Sequence, residues 1–148
     1  MEFVKEFATF LHQKGIIKFG DFTLASGKKS SYYVDLRLVP SYPHQFRTMI
    51  KYLQNNIAES VGLDSFDSLV SVPTGGLVIA SALAIETVKP LIYVRSKPKD
   101  YGTSKSIEGQ TQEGMKVVMI DDVATTGGSV INAIKSLKEA NITIEDAY

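Results

Sequence analysis

The stretch that decides the fold is Val117-Val118-Met119-Ile120-Asp121-Asp122-Val123-Ala124-Thr125-Thr126-Gly127-Gly128-Ser129-Val130. Its apolar run after Lys116 is the pattern of a strand buried on both faces, as in a parallel sheet covered by helices. The strand ends in two adjacent carboxylates. A short turn rich in Thr, Gly and Ser follows. Val130, Ile134 and Leu137 then recur at helical spacing, which predicts a helix over 127–140. In open α/β sheets, ligands bind beyond the carboxyl ends of the strands.

The residue types in this turn carry a specific chemistry. A helix N-terminus made of small residues presents free backbone N–H groups and the positive end of a dipole, which suits a phosphate. Thr125, Thr126 and Ser129 add hydroxyl donors. Gly127 and Gly128 let the backbone approach closely, because no Cβ intervenes. Asp121 and Asp122 repel a phosphate, but as acceptors they suit two neighbouring hydroxyls. Phosphate donors beside diol acceptors describe a ribose 5-phosphate site. No Gly-Lys-Ser/Thr follows the turn and Gly-x-Gly-x-x-Gly is absent, so this is neither a Walker A loop nor a dinucleotide fingerprint. Each residue alone would be ordinary turn chemistry; their order at a strand end points to a site.

Upstream, Phe3, Phe7, Phe10 and Leu11 predict an opening amphipathic helix that stops near Gly15. Phe22–Leu24 and Tyr32–Leu36 flank a Ser-Gly-Lys-Lys-Ser turn and predict a hairpin. Phe46, Met49, Ile50, Leu53 and Ile57 mark a second helix ending near Gly62. Short strands are expected at 68–72 and 91–94, with an Ala-rich helix over 77–87 between them and the turn Pro73-Thr74-Gly75-Gly76 before it. Residues 96–112 are long, polar and rich in Lys, Gly and Ser, the profile of a functional lid or a solvated loop. Residues 142–147 begin a last strand. Strands alternating with helices imply a mostly parallel sheet with crossover helices.

The bulk numbers bound the rest. The chain has 148 residues, 44% of them hydrophobic and 22% charged, which suits one α/β domain with a true core. Sixteen basic residues balance sixteen acidic ones, unlike the basic footprint of a nucleic-acid binder. There is no cysteine and only two histidines, His12 and His44, which leaves no thiolate or histidine metal site. No apolar run is long enough to span a membrane and the first residues lack a signal-peptide plan. The expectation is a cytoplasmic domain.

The stretch 117–130 resembles the phosphoribosyl pyrophosphate (PRPP) motif of type I phosphoribosyltransferases. The resemblance implies that fold: a mostly parallel sheet flanked by helices, with a small N-terminal hood. It implies that Asp121 and Asp122 bind the ribose hydroxyls. Val123, Ala124, Thr125, Thr126, Gly127, Gly128 and Ser129 would cradle the 5-phosphate. Two further segments resemble orotate phosphoribosyltransferases specifically. Phe19–Leu24 with Ser26-Gly27 and Ser30 looks like the hood over the base, with Tyr33 at an aromatic position of the orotate pocket. Lys28, Tyr33 and Thr125 are the implied orotate contacts.

Arg95–Gly102 with Ile107-Glu108-Gly109 looks like the mobile catalytic loop, in which Arg95, Lys99 and Tyr101 match pyrophosphate-contacting, catalytic positions. Thr74 and Gly75 belong to a short pyrophosphate loop that often has a strained peptide. The chain departs from the family pattern at Ala25 and Ser96, where lysines are usual, and carries Tyr101 where histidine is common. The implied reaction joins PRPP to orotate, with Mg²⁺ carried mainly through PRPP and no protein metal site, in a homodimer that shares the 96–110 loop. The alternatives are a purine or uracil phosphoribosyltransferase, or a non-catalytic PRPP-sensing regulator. The chain ends at Tyr148 inside an expected strand, before the arginine that in this family pairs with the orotate carboxylate, so a C-terminal truncation is expected.

Overall fold

In the computed structural model, which describes residues 2–24, 27–95, 106–124 and 126–148, the backbone divides into two compact units, Met1–Thr48 and Met49–Tyr148. The first opens with α1 (Glu2–Gln13). Its phenylalanines stack along one face, with ring centroids 5.2 Å apart for Phe3 and Phe7 and 5.6 Å for Phe7 and Phe10. The helix stops where expected: the Gly15 N–H donates to the His12 carbonyl, and that of Ile16 to Leu11. The hairpin follows as β1 (Ile17–Thr23) and β2 (Lys29–Val34), paired antiparallel. Both strands start earlier than the sequence suggests, so Lys29 and Ser30 lie in the ladder rather than in the turn. Asp35 leaves the ladder and a 3₁₀ helix begins at Leu36. A bulge between Phe19 and Phe22 shifts the register, as extra residues in one strand do.

α2 (Pro43–Ser60) leads into the second unit. Pro43 starts this helix, where its missing N–H costs no helical bond. The sheet has the order β5-β4-β3-β6-β7, formed by β3 (Ser68–Ser71), β4 (Leu91–Val94), β5 (Ile107–Glu108), β6 (Lys116–Ile120) and β7 (Thr143–Ala147). All neighbours run parallel except β4 and β5. This is the mostly parallel sheet the alternating pattern implied. One correction concerns the polar segment 96–112: Ile107 and Glu108 are not loop but pair with Val94 and Tyr93.

The helices α3 (Gly75–Thr87) and α4 (Gly128–Glu139) follow β3 and β6. The core of this unit gathers Val70, Ile92, Val117, Met119 and Leu137, all essentially inaccessible to water. β6 is buried from Val117 to Ile120 and only Lys116 is exposed, as its sequence demanded. Truncating Met119 to alanine here would cost about 2–5 kcal/mol. The consequence for the site is positional. β3 and β6 are central neighbours, so their C-terminal ends, Ser71 and Ile120, are held side by side.

Candidate functional site at the ends of two central strands

β6 ends at Ile120, and Tyr148 on one side and Ser71 on the other hold the peptide that follows. The Asp121 N–H donates to the Tyr148 carbonyl at 2.9 Å, and the Tyr148 N–H to the Met119 carbonyl at 2.9 Å. The Tyr148 hydroxyl touches Ser60 Oγ. On the other side Ser71, fully buried at the end of β3, donates its hydroxyl to the Ile120 carbonyl at 2.7 Å. Asp121 Oδ1 accepts the Asp122 N–H at 3.0 Å. Burial pushes the Asp121 carboxyl above the usual carboxylate range; the Asp122 N–H opposes this and the Asp122 charge adds to it.

The first turn of α3 rests on this acid pair. A Cβ on Gly75 would stand 1.9 Å from Asp122 Oδ2. A Cβ on Gly76 would stand 2.9 Å from Asp121 Cα, Asp121 Oδ1 and Ser71 Oγ. The Pro73–Thr74 peptide is cis, and neither Gly75 nor Gly76 has a positive φ. The glycines also make room for two carboxylates. The carboxylates in turn lie at the positive end of a helix dipole. Thr74 is exposed just ahead of that turn.

The opposite side of the turn meets α4. Gly127 precedes it with φ +71°, a left-handed conformation that favours glycine, and as the N-cap it has no side chain with which to cap the helix. Val123, Ala124, Thr126, Gly128 and Ser129 are exposed. The orphan N–H groups of the first turn are thus available to an anion. Gly128 and Ser129 share a cavity of about 470 Å³ with Arg95, Ser106, Val72 and Val94. The Arg95 N–H donates to the Ser106 carbonyl at 2.8 Å, and its guanidinium pairs with Glu108 at 3.2 Å. Arg95 Nε is buried with no hydrogen-bond partner among the described residues.

In the N-terminal unit, Tyr33 packs near Phe22, with ring centroids 5.7 Å apart. Its hydroxyl accepts from Arg37 Nη2 at 3.3 Å. Arg37 grips Asp35 with both nitrogens, at 2.6 and 2.9 Å, and holds that carboxyl below the usual range. Lys29 donates to Thr23 Oγ1 at 2.7 Å, whereas Lys28 is exposed in the turn. Three expected site residues, Lys99, Tyr101 and Thr125, lie outside the described residues.

Residues 44–145 match the family described as phosphoribosyl transferase domain. An orotate phosphoribosyltransferase of Cenarchaeum symbiosum is 56% identical over 148 residues, covering all of this chain and 74% of that protein. The chain belongs to the orotate phosphoribosyltransferase family. A Pyrococcus horikoshii orotate phosphoribosyltransferase is 43% identical over 139 residues, covering 94% of this chain and 74% of its own length. The crystal structure of the Aeropyrum pernix orotate phosphoribosyltransferase superposes with a TM-score of 0.81 at 36% identity, over 95% of this chain and 77% of that one.

For an orotate phosphoribosyltransferase, the structure brings together Asp121, Asp122, Gly75 and Gly76 at one strand end, and Arg95, Gly128 and Ser129 around one cavity. Sequence reasoning gave no role to Ser71, to the pair Asp35–Arg37 or, within Ile107-Glu108-Gly109, to Glu108 itself. A serine at the end of an apolar strand was the available signal for the first. The other two signals, an acid beyond the loop and an Asp-x-Arg beside the tyrosines, are too common to stand out.

Proposed function

We propose that the chain transfers the 5-phosphoribosyl group of PRPP to orotate, giving orotidine 5′-monophosphate and pyrophosphate. One observation carries this reading: a diacid ends a central strand and lies between two helix N-termini, those of α3 and α4. PRPP has the matching order of charges, pyrophosphate, diol, phosphate. Orotate as acceptor is supported by similarity along the whole of this chain to orotate phosphoribosyltransferases. The same alignment supports reading residues 1–148 as a single phosphoribosyltransferase domain.

In this reading Asp121 and Asp122 accept hydrogen bonds from the ribose hydroxyls. The segment 123–129 holds the 5-phosphate through backbone N–H groups and hydroxyls. Thr74 and Gly75 face the pyrophosphate. The ribosyl centre becomes cationic as pyrophosphate leaves, so the protein contributes positioning and charge stabilisation rather than a nucleophile. Arg95 and Lys99 neutralise the leaving group, with Tyr101 alongside. The lid of this reading is the 96–110 segment, of which 96–105 lie outside the described residues and Ile107–Glu108 pair with β4; its closure would keep water from the centre. Lys28, Tyr33 and Thr125 meet the orotate.

Mg²⁺ enters this reading as a passenger of PRPP, with Asp121 and Asp122 nearby. When bound, it offsets pyrophosphate charge and keeps several waters of its own. A homodimer is supported by the apolar residues exposed on α3 and at its C-cap, Val78, Ile85 and Val88, of which the last two are more than four-fifths exposed. No described helix is long and apolar enough to cross a membrane.

The test is single-turnover consumption of PRPP with Mg²⁺ and, in parallel, orotate, uracil, adenine and hypoxanthine. Orotate alone should support release of pyrophosphate. Faster turnover with a purine or with uracil would overturn the base assignment, and no turnover with PRPP binding intact would favour a sensing role.

A further inference from the structure

We propose that Ser71 is a positioning residue that sets the ribose-binding acids, a role resting on the reading above. Ser71 is fully buried and ends β3 opposite Ile120. Its hydroxyl donates to the Ile120 carbonyl at 2.7 Å. That carbonyl belongs to the peptide whose N–H is Asp121's own. The bond therefore acts on the plane of the Ile120–Asp121 peptide, from which the Asp121 carboxylate departs. The far edge of the same peptide is held by the Tyr148 carbonyl at 2.9 Å from Asp121 N. One peptide is thus clamped from β3 through a side chain and from Tyr148, just past β7, through the backbone.

The hydroxyl has a second neighbour. Ser71 Oγ and Asp121 Oδ1 lie equally close, 2.9 Å, to the place a Cβ on Gly76 would occupy. Ser71 therefore fills the corner where β3, β6 and the first turn of α3 meet, and the Asp121 carboxylate packs against the same glycine. Since Ser71 is inaccessible to solvent, water cannot replace the lost donor cheaply. In a Ser71→Ala variant the Ile120–Asp121 peptide loses the side-chain half of its clamp and tilts more easily about the bond to Tyr148 that remains. The Asp121 carboxylate then loses its aim, while the α4 N-terminus, beyond residue 126, keeps its own backbone geometry.

The experiment measures ribose 5-phosphate and inorganic phosphate as competitive inhibitors against PRPP. Both occupy the phosphate cradle, but only the first uses the acids. In wild type, ribose 5-phosphate should bind more tightly than phosphate. Ser71→Ala should weaken ribose 5-phosphate about tenfold and leave phosphate unchanged, the loss expected of one buried hydrogen bond. Ser71→Cys, close in volume and still a weak donor, should retain most of the preference. A merely structural role would weaken both ligands together, and that result overturns the proposal, as does a Ser71→Ala variant with its preference intact. If Ser71→Ala does not fold, a Ser71→Cys variant that loses phosphate and ribose 5-phosphate equally has the same force. A wild-type protein with no preference at all would instead overturn the PRPP reading, and this inference with it.

Discussion

Asp122 Oδ2 lies 1.9 Å from the point where a Cβ on Gly75 would stand. The obstacle is the far end of a side chain, so it can swing aside. We expect Gly75→Ala to leave the melting temperature within about 2 °C of wild type and to raise KM for PRPP about tenfold. Its neighbour should behave differently. A Cβ on Gly76 meets the backbone at Asp121 Cα, at 2.9 Å, as well as Ser71 Oγ. Gly76→Ala should therefore destabilise the fold by about 1–3 kcal/mol. Denaturant titration beside steady-state kinetics separates the two, and equal stability losses would refute this account.

Burial holds the Asp121 carboxyl above its usual range, and the sign of its two effects differs. The ionised form accepts ribose hydroxyls, so kcat/KM for PRPP should fall as pH drops through this raised value, earlier than an ordinary aspartate would impose. Stability moves oppositely: the folded state binds this proton more tightly than the unfolded one, so the residue's contribution is complete below the unfolded pKa and is lost as pH rises through the folded one. In Asp121→Asn the acidic limb of the kcat/KM profile should vanish from a lower plateau. A limb unchanged in that variant would assign it to another group.

Arg37 ties Tyr33 to Asp35 within the N-terminal unit. Its side chain is 57% exposed, so the ion pair contributes at most about 1 kcal/mol to stability. The depressed carboxyl of Asp35 makes that contribution present above the ordinary aspartate range and lost as pH falls through the folded value. Arg37→Ala should raise KM for orotate several-fold, on the order of one hydrogen bond, with KM for PRPP unchanged. The opposite split in KM would place Tyr33 away from the base.

Lys99 lies outside the described residues, and its role follows from family resemblance alone. Lys99→Ala should lower kcat by roughly 100-fold or more while PRPP binding, followed by calorimetry, largely survives. Unchanged turnover would remove it from the chemistry.

Much of this was legible in the sequence because the signals were local. The run 117–120 announced a buried strand, and the acids and small residues after it announced what the strand end could hold. The hairpin was legible in kind but not in extent. Lys29 and Ser30 look like turn residues, yet cross-strand pairing with Thr23 and Phe22 draws them into the ladder. Glu108 looked like part of a polar loop until pairing with Tyr93 made it a strand. Ser71 was silent for a related reason: its meaning lies in a carbonyl 49 positions away, and no local pattern encodes that distance. The glycines at 75 and 76 stood out as a turn, but the room they make for Asp121 and Asp122 did not, because a neighbour's carboxylate is invisible from a turn motif.

That separation has a kinetic side. The clamp on the acids is made by the pairing of β3 with β6, whose residues stand 49 apart at Ser68↔Val117 and Ser71↔Ile120. Contacts so remote in sequence repay their loop-closure entropy late in folding. A chain caught before that closure can hold its helices and its hairpin and still bind no ribose. During refolding, the gain of ribose 5-phosphate affinity should therefore trail the gain of helical signal, and the ligand becomes a clock for the last long-range step.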